Sequence, residues 1–283
     1  MRIENNKIYV ELDDIKGLSE FSKYDSIEEL GKGANGVVFR AKHRIILIEV
    51  VIKIFSVNIN DIEKAKCKHL EEIRKNARYR ISNFQGLVFD AGKITVANNE
   101  FLYSIMYYVE GITLRKWIDA WNKIKSDNKF VHIKNNSKLI EFNMALGFLF
   151  SALKLVDNDD YSGITHGDLN AGNIIVAKQN YSISSDENTN IIYKYCSLYG
   201  EYLVPANIEL IDYGTSIWNN KGQKNGFKRD YRLIFENVDR ILSDYNVKSF
   251  FDCCEFKKLQ VSENKVKLLI NGLIRIILLL NFL

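Results

Sequence analysis

The sequence is poor in several features that mark specialised proteins, and each shortage excludes something. Its 283 residues include four cysteines, Cys67, Cys196, Cys253 and Cys254, with no C-x-x-C pair at metal spacing. Adjacent Cys253 and Cys254 are poor disulfide partners, because a bridge needs particular Cβ directions. All four are therefore read as reduced thiols of a cytoplasmic protein. The opening MRIENNKIYVELDD lacks the apolar run of a signal peptide. The only long apolar stretch, Leu268 to Leu283, is sixteen residues and carries Asn271, Arg275 and Asn281. A spanning helix needs roughly 20 apolar residues, so this stretch is expected to be a core or partner-facing helix, and no membrane is expected as a partner. Charge of one sign does not dominate either: 39 Lys and Arg stand against 35 Asp and Glu. Without a clustered basic face, nucleic acid is not expected as a partner. The single proline, Pro205, points to no function.

What is present suits a folded globular chain. Hydrophobic residues make up 47% and aromatics 12%, enough for one large domain or two lobes sharing a cleft. Residues 1–25 alternate weakly, at Ile8, Val10 and Leu12, as an N-terminal extension or edge strand. Residues 26–56 read as strand, glycine turn, strand and a further strand over the β-branched run Ile45 to Ile52. Helical spacing appears over 60–80, 113–124 and 138–156, with strands near Gly86–Ala91 and Phe101–Tyr108. The polar, tyrosine-rich segment 178–207 reads as an insertion or extended hairpin, and the chain from Asp230 onward reads as helical. A strand-rich first third before a helix-rich remainder implies an α+β protein with two unlike lobes.

Three segments carry chemistry. Gly31-Lys32-Gly33-Ala34-Asn35-Gly36-Val37-Val38 contains G-x-G-x-x-G-x-V and continues into a strand, whereas a dinucleotide-binding turn would open directly into a helix. Glycines there let backbone N–H groups approach phosphate oxygens. His166-Gly167-Asp168-Leu169-Asn170-Ala171-Gly172-Asn173 places Asp and Asn five residues apart before the β-branched run Ile174-Ile175-Val176. Asp168 suits a carboxylate that takes or orients a hydroxyl proton, and Asn173 suits a Mg2+ ligand. Ile208-Glu209-Leu210-Ile211-Asp212-Tyr213-Gly214 ends an apolar strand with a hard oxygen ligand, Asp212.

In this order, over roughly residues 26–230, the segments resemble the protein-kinase-like superfamily. The resemblance implies a two-lobed fold, with an antiparallel-sheet N-lobe over 26–108 that holds one main helix. A mostly helical C-lobe would follow over 109–283. It implies ATP and Mg2+ as cofactors, with Gly31, Gly33 and Gly36 over the phosphates. Val51-Ile52-Lys53 resembles V-A-I-K, which makes Lys53 the phosphate lysine, with Val51 crowding the adenine roof where alanine is usual. A glutamate from the next helix would hold Lys53. Glu72, preceding Ile73, is favoured over Glu71, with Glu63 third. Tyr103 to Leu114 resembles the strand-to-hinge passage, with Met106 behind the adenine pocket and Tyr107, Tyr108 and Val109 offering backbone groups to the base. Val38 and Ile175 would complete the adenine site, and Asn173 and Asp212 would hold the metal.

The chain also departs from the protein-kinase pattern. Gly167 replaces the arginine of H-R-D, and Asn170 replaces the lysine usual in serine/threonine kinases. H-G-D is the form found in aminoglycoside and choline kinase-like enzymes. No A-P-E follows Asp212, and Asp230 is the nearest candidate for an aspartate that anchors the catalytic loop. The leading expectation is an atypical protein kinase acting on Ser or Thr, itself included. The alternatives are a kinase of small-molecule alcohols and a nucleotide-binding pseudokinase acting as an interaction module.

Overall fold

A computed structural model of the chain describes residues 1–78, 88–130, 137, 140–141, 143–149, 151–153, 155–156, 164–178, 197–199, 202–205, 207–212, 217–218 and 225–242. Residues 1–242 form one compact unit, and the fold below is that of this unit. The apolar stretch near the end of the sequence lies outside the described residues, as does most of 178–207.

The chain is α+β with antiparallel sheets. Strands β1 (Arg2–Glu4) and β2 (Lys7–Tyr9) form a hairpin, followed by a short helix α1 (Leu12–Ile15). Then come β3 (Tyr24–Gly33), β4 (Gly36–His43), β5 (Glu49–Phe55), β6 (Val57–Asn58), helix α2 (Ile62–Arg78), β7 (Val88–Val96) and β8 (Asn99–Tyr107). Five of these make one antiparallel sheet in the order β3-β4-β5-β8-β7, and β6 joins β2 in a separate three-stranded sheet. Strand alternation gives the five-stranded sheet two different faces. Phe39, Val50, Ile52, Phe101 and Ile105 point to one face and are fully buried. Residues of the N-terminal extension cover that face: Tyr9, Val10, Ile15 and Phe21 share its core. The opposite face carries a smaller cluster, Phe55, Ile73, Val88 and Leu102 with Leu70, which seats α2 on the sheet.

The remainder supplies β9 (Gly111–Thr113), α3 (Leu114–Ser126), β10 (Ile164–Thr165), β11 (Ile174–Ala177), β12 (Ser197–Tyr199), β13 (Tyr202–Val204), β14 (Ile208–Leu210), β15 (Ile217–Trp218) and α4 (Asn225–Ile241). In α3, Leu114, Trp117, Ile118, Trp121 and Ile124 recur at helical spacing and are buried. The side chain of Thr113 caps this helix by accepting from the Lys116 N–H at 3.3 Å. Helical backbone also occupies 143–149 and 151–153, within the stretch where a helix was predicted. Strand β11 lies between β9 and β14. Within the tyrosine-rich segment, β12 and β13 pair as an antiparallel hairpin.

One predicted element is corrected. The run Ile45 to Ile52 reads as continuous strand, but β5 begins at Glu49. The His43 N–H donates to the Ile48 carbonyl at 2.8 Å and the Leu47 N–H to the His43 carbonyl at 2.9 Å, so the chain reverses inside the apolar run. Because β4 and β5 are adjacent antiparallel partners, the tip must lie beyond the sheet, and Ile45 is 82% exposed there.

The glycines of the β3–β4 turn divide into two kinds. Gly36 has φ of +152°, and a Cβ there would lie 2.1 Å from the Ile54 carbonyl oxygen of β5. A Cβ on Gly31 or Gly33 would meet nothing within 4 Å. Gly36→Ala is expected to cost about 2–4 kcal/mol in urea unfolding. Gly33→Ala is expected to stay within about 0.5 kcal/mol of the parent.

Candidate active site

The register of the central strands gathers four of the predicted nucleotide residues on one face. Val38 pairs with Lys53 across β4 and β5, and Val51 pairs with Met106 across β5 and β8. Cross-strand partners point to the same side. Val38, Val51, Lys53 and Met106 therefore line the face that also seats α2, and all four are half-buried. After β8 the chain passes through Tyr107, Tyr108 and Val109. The Tyr108 N–H donates to the Glu49 carbonyl at 3.2 Å, and the Arg40 guanidinium lies 4.5 Å from the Tyr108 ring centre. Ile175 lies in β11, which pairs with β9 directly after this passage.

Lys53 is the centre of the site. Its Nζ lies 2.5 Å from Glu72 Oε1 and 3.5 Å from Asp212 Oδ2. The side chains of Lys53 and Glu72 are only 11% and 6% exposed. Burial pushes the Lys53 ammonium down, but the Asp212 and Glu72 carboxylates outweigh it, and its pKa stands above the ordinary 10.5. Glu71 faces elsewhere, paired with Lys75 at 3.0 Å and 67% exposed. Glu63 lies in the exposed first turn of α2. The ammonium thus ties β5, α2 and Asp212, two residues beyond β14, to one point.

The segment 166–173 lies between β10 and β11 and is held from below by α4. Asp230, 1% exposed, accepts the His166 N–H and the Gly167 N–H through its two carboxylate oxygens, each at 2.8 Å. Asn237 donates to the Leu169 carbonyl at 2.8 Å. His166 Nδ1 accepts the Asp168 N–H at 3.3 Å, so the ring's proton sits on Nε2, which donates to the Ile211 carbonyl at 3.0 Å. The loop is thereby bonded to the residue just before Asp212. A second tie is the Ile211 N–H to the Asn173 carbonyl at 2.9 Å. Gly167 has φ of +80°, a left-handed backbone that favours glycine and disfavours the arginine of H-R-D. Asp212 has φ of +63°, an uncommon conformation for a residue with a Cβ, and such strain concentrates at functional positions.

Asn173 Nδ2 donates to the Asp168 carbonyl at 2.9 Å and to Asp168 Oδ2 at 3.0 Å. This turns the Asn173 amide oxygen away from Asp168, as a hard donor for a cation. Asp212 supplies a carboxylate near it through the β11–β14 pairing. Two such oxygens fit Mg2+, which keeps several waters and takes one or two protein carboxylates together with phosphate oxygens. Asn237 and the His166 bridge were missed in the sequence. Asn237 stands seven residues after Asp230, two helical turns along the same face, and that spacing was the available signal.

With this geometry in view, comparison with known proteins adds a distant likeness. No family model matches the chain. A probable serine/threonine-protein kinase of Clostridium acetobutylicum is 28% identical over 155 residues, 55% of this chain. The match supports a kinase-like relationship. The chain spans 20% of the length of that curated relative.

Two buried groups beneath the loop titrate in opposing senses. Burial raises Asp230 from 3.8 to about 6, so the folded chain keeps a proton that the unfolded chain releases, and stability falls as pH rises across that window. Burial lowers His166 from 6.5 to about 4, so the unfolded chain binds a proton that the folded chain refuses, and stability rises as pH rises across that window. Between about pH 4 and 6 the two slopes offset. In Asp230→Asn the Asp230 slope is removed and that of His166 is no longer offset. Urea unfolding of that variant is expected to show stability climbing from pH 4 to 6.5 by roughly 2–3 kcal/mol more than in the parent.

Proposed function

We propose that the chain is an ATP- and Mg2+-dependent phosphotransferase that phosphorylates serine or threonine hydroxyls of proteins, itself among them. The observation that carries this reading is the Lys53 ammonium at 2.5 Å from Glu72 and 3.5 Å from Asp212. A buried cation aimed by two carboxylates, beneath a glycine turn open above Gly31 and Gly33, suits the phosphates of a nucleotide. Val38, Val51, Met106 and Ile175 would enclose the adenine, with backbone groups of Tyr107 and Val109 facing its edge. Asp212 and the Asn173 amide oxygen would hold Mg2+, which would neutralise phosphate charge. Asp168 Oδ2 is engaged by Asn173, and Oδ1 is the oxygen that would take the proton of the attacking hydroxyl. Asp230 and Asn237 would be positioning residues, acting through the loop backbone. The likeness to a probable serine/threonine-protein kinase supports protein as the acceptor.

Gly167 favours a second reading. Its left-handed backbone suits the glycine of H-G-D, the sequence form of small-molecule kinases, for which the acceptor would be a soluble alcohol. Incubation of the purified chain with γ-labelled ATP separates the two: label in protein supports the first, label in small molecules the second. Asp168→Asn is expected to lower the transfer rate by about 10²–10⁴-fold, with nucleotide binding retained. Full activity in that variant would contradict the assignment of Asp168.

A further inference from the structure

Behind the glycine turn lies a cavity of about 240 Å³, below the roughly 300–1,000 Å³ of sites for drug-sized ligands. Its walls come from three separate elements. Lys7 enters from β2, Asn58 from β6, and Lys64, Lys68 and His69 from α2, while Asn35 from the tip of the turn closes the end. Lys7, Lys64 and Lys68 have no carboxylate within 4 Å among the described residues. The contrast with Lys66 on the other side of α2 is direct, since Lys66 is matched by Glu100 at 2.5 Å. Asp61, the acidic side chain of the cavity, is committed to the start of α2, where it accepts the Lys64 N–H at 3.2 Å. Lys64 and Lys68 stand four residues apart on one helix face, a like-charge pairing that costs stability unless an anion lies between them. His69 is 7% exposed and its Nδ1 has no hydrogen-bond partner. Its ring packs on Phe55 with centres 4.7 Å apart, so the imidazole is fixed in the cavity wall.

We propose that this cavity is a regulatory site for a phosphate group, either free phosphate or the phosphate of a phosphorylated side chain. Three ammonium groups and the Asn35 and Asn58 amides suit a small, multiply charged oxyanion. The cavity is joined to both the glycine turn and the helix that bears Glu72. Lys7 Nζ donates to the Ala34 carbonyl at 2.5 Å and the Ser56 N–H to the Asn35 carbonyl at 3.0 Å, which fixes the turn over Gly31 and Gly33. Lys64, Lys68 and Glu72 occupy successive turns of one face of α2. An anion drawing Lys7 toward Lys64 and Lys68 would therefore hold the glycine turn and the Glu72 helix in one arrangement. The binding stands on the cavity alone; its effect on catalysis rests on the phosphotransferase reading.

The test uses the full chain in thermal unfolding, titrated with sodium phosphate at constant ionic strength and, separately, with N-acetyl-phosphoserine amide. Three proteins are compared: the parent, Lys64→Gln/Lys68→Gln, and Lys53→Met, which alters the nucleotide site instead. The parent is expected to gain roughly 5–10 °C at about 100 times its Kd for phosphate. The gain is expected to persist in Lys53→Met and to disappear in the double variant, whose unfolding temperature without phosphate verifies that it folds. Tighter binding of the phosphoserine amide identifies a phosphorylated side chain as the source, and equal or weaker binding identifies the free ion. Equal gains in all three proteins, or a loss confined to Lys53→Met, would overturn the site. If the site binds but phosphotransfer is absent, only the functional reading fails.

Discussion

A lysine ammonium buried beside two carboxylates organises this protein. Lys53 is 11% exposed, and a cation in that position is tolerated only when its charge is balanced. Glu72 and Asp212 supply the balance from opposite ends of the fold: one rides on a helix laid against the sheet, the other follows the strand that pairs with β11. Each carboxylate can reach the ammonium only if its own element is in place. The Coulombic requirement therefore acts as a geometric one, and it sets the distance between the strand that bears the cation and the loop that bears Asp168.

The rest of the fold serves that requirement in layers. The N-terminal extension covers one face of the five-stranded sheet with Val10, Ile15 and Phe21, so the opposite face can remain partly polar. On that face, side-chain alternation brings Val38, Val51, Lys53 and Met106 together without any of them being adjacent in sequence. Below it, a single buried carboxylate, Asp230, holds two consecutive N–H groups of the loop, and a neutral His166 links the loop to Ile211. Because each of these polar groups is matched by a partner, they can be buried without the cost of an unpaired group.

Much of the site was legible in the sequence because its residues sit in short motifs with fixed local geometry. The glycine turn, Lys53, the Asp168–Asn173 spacing and Asp212 could each be recognised from a few neighbours. Glu72 required one further step, the position of Ile73 on the buried side of the helix. The β4–β5 hairpin was misread because β-branched residues signal strand whether they lie in the sheet or at its tip, and only the pairing register shows where the chain turns. Asp230 was named as an anchor; Asn237 was signalled only by its seven-residue spacing from Asp230 on one helix face, and the His166 bridge arises from a tertiary contact that no local pattern encodes. The basic cavity was invisible for the same reason. Lys7 and Lys68 belong to different elements and meet only after β2 pairs with β6.

The central claim is that the Lys53, Glu72 and Asp212 cluster receives nucleotide phosphates together with Mg2+. The most direct measurement is calorimetric titration of the chain with a non-hydrolysable ATP analogue, with and without Mg2+, repeated on Asp212→Asn. The account expects saturable binding that strengthens with Mg2+ in the parent and no longer responds to Mg2+ in the variant. Absence of saturable binding, or an equal Mg2+ response in both proteins, would contradict it.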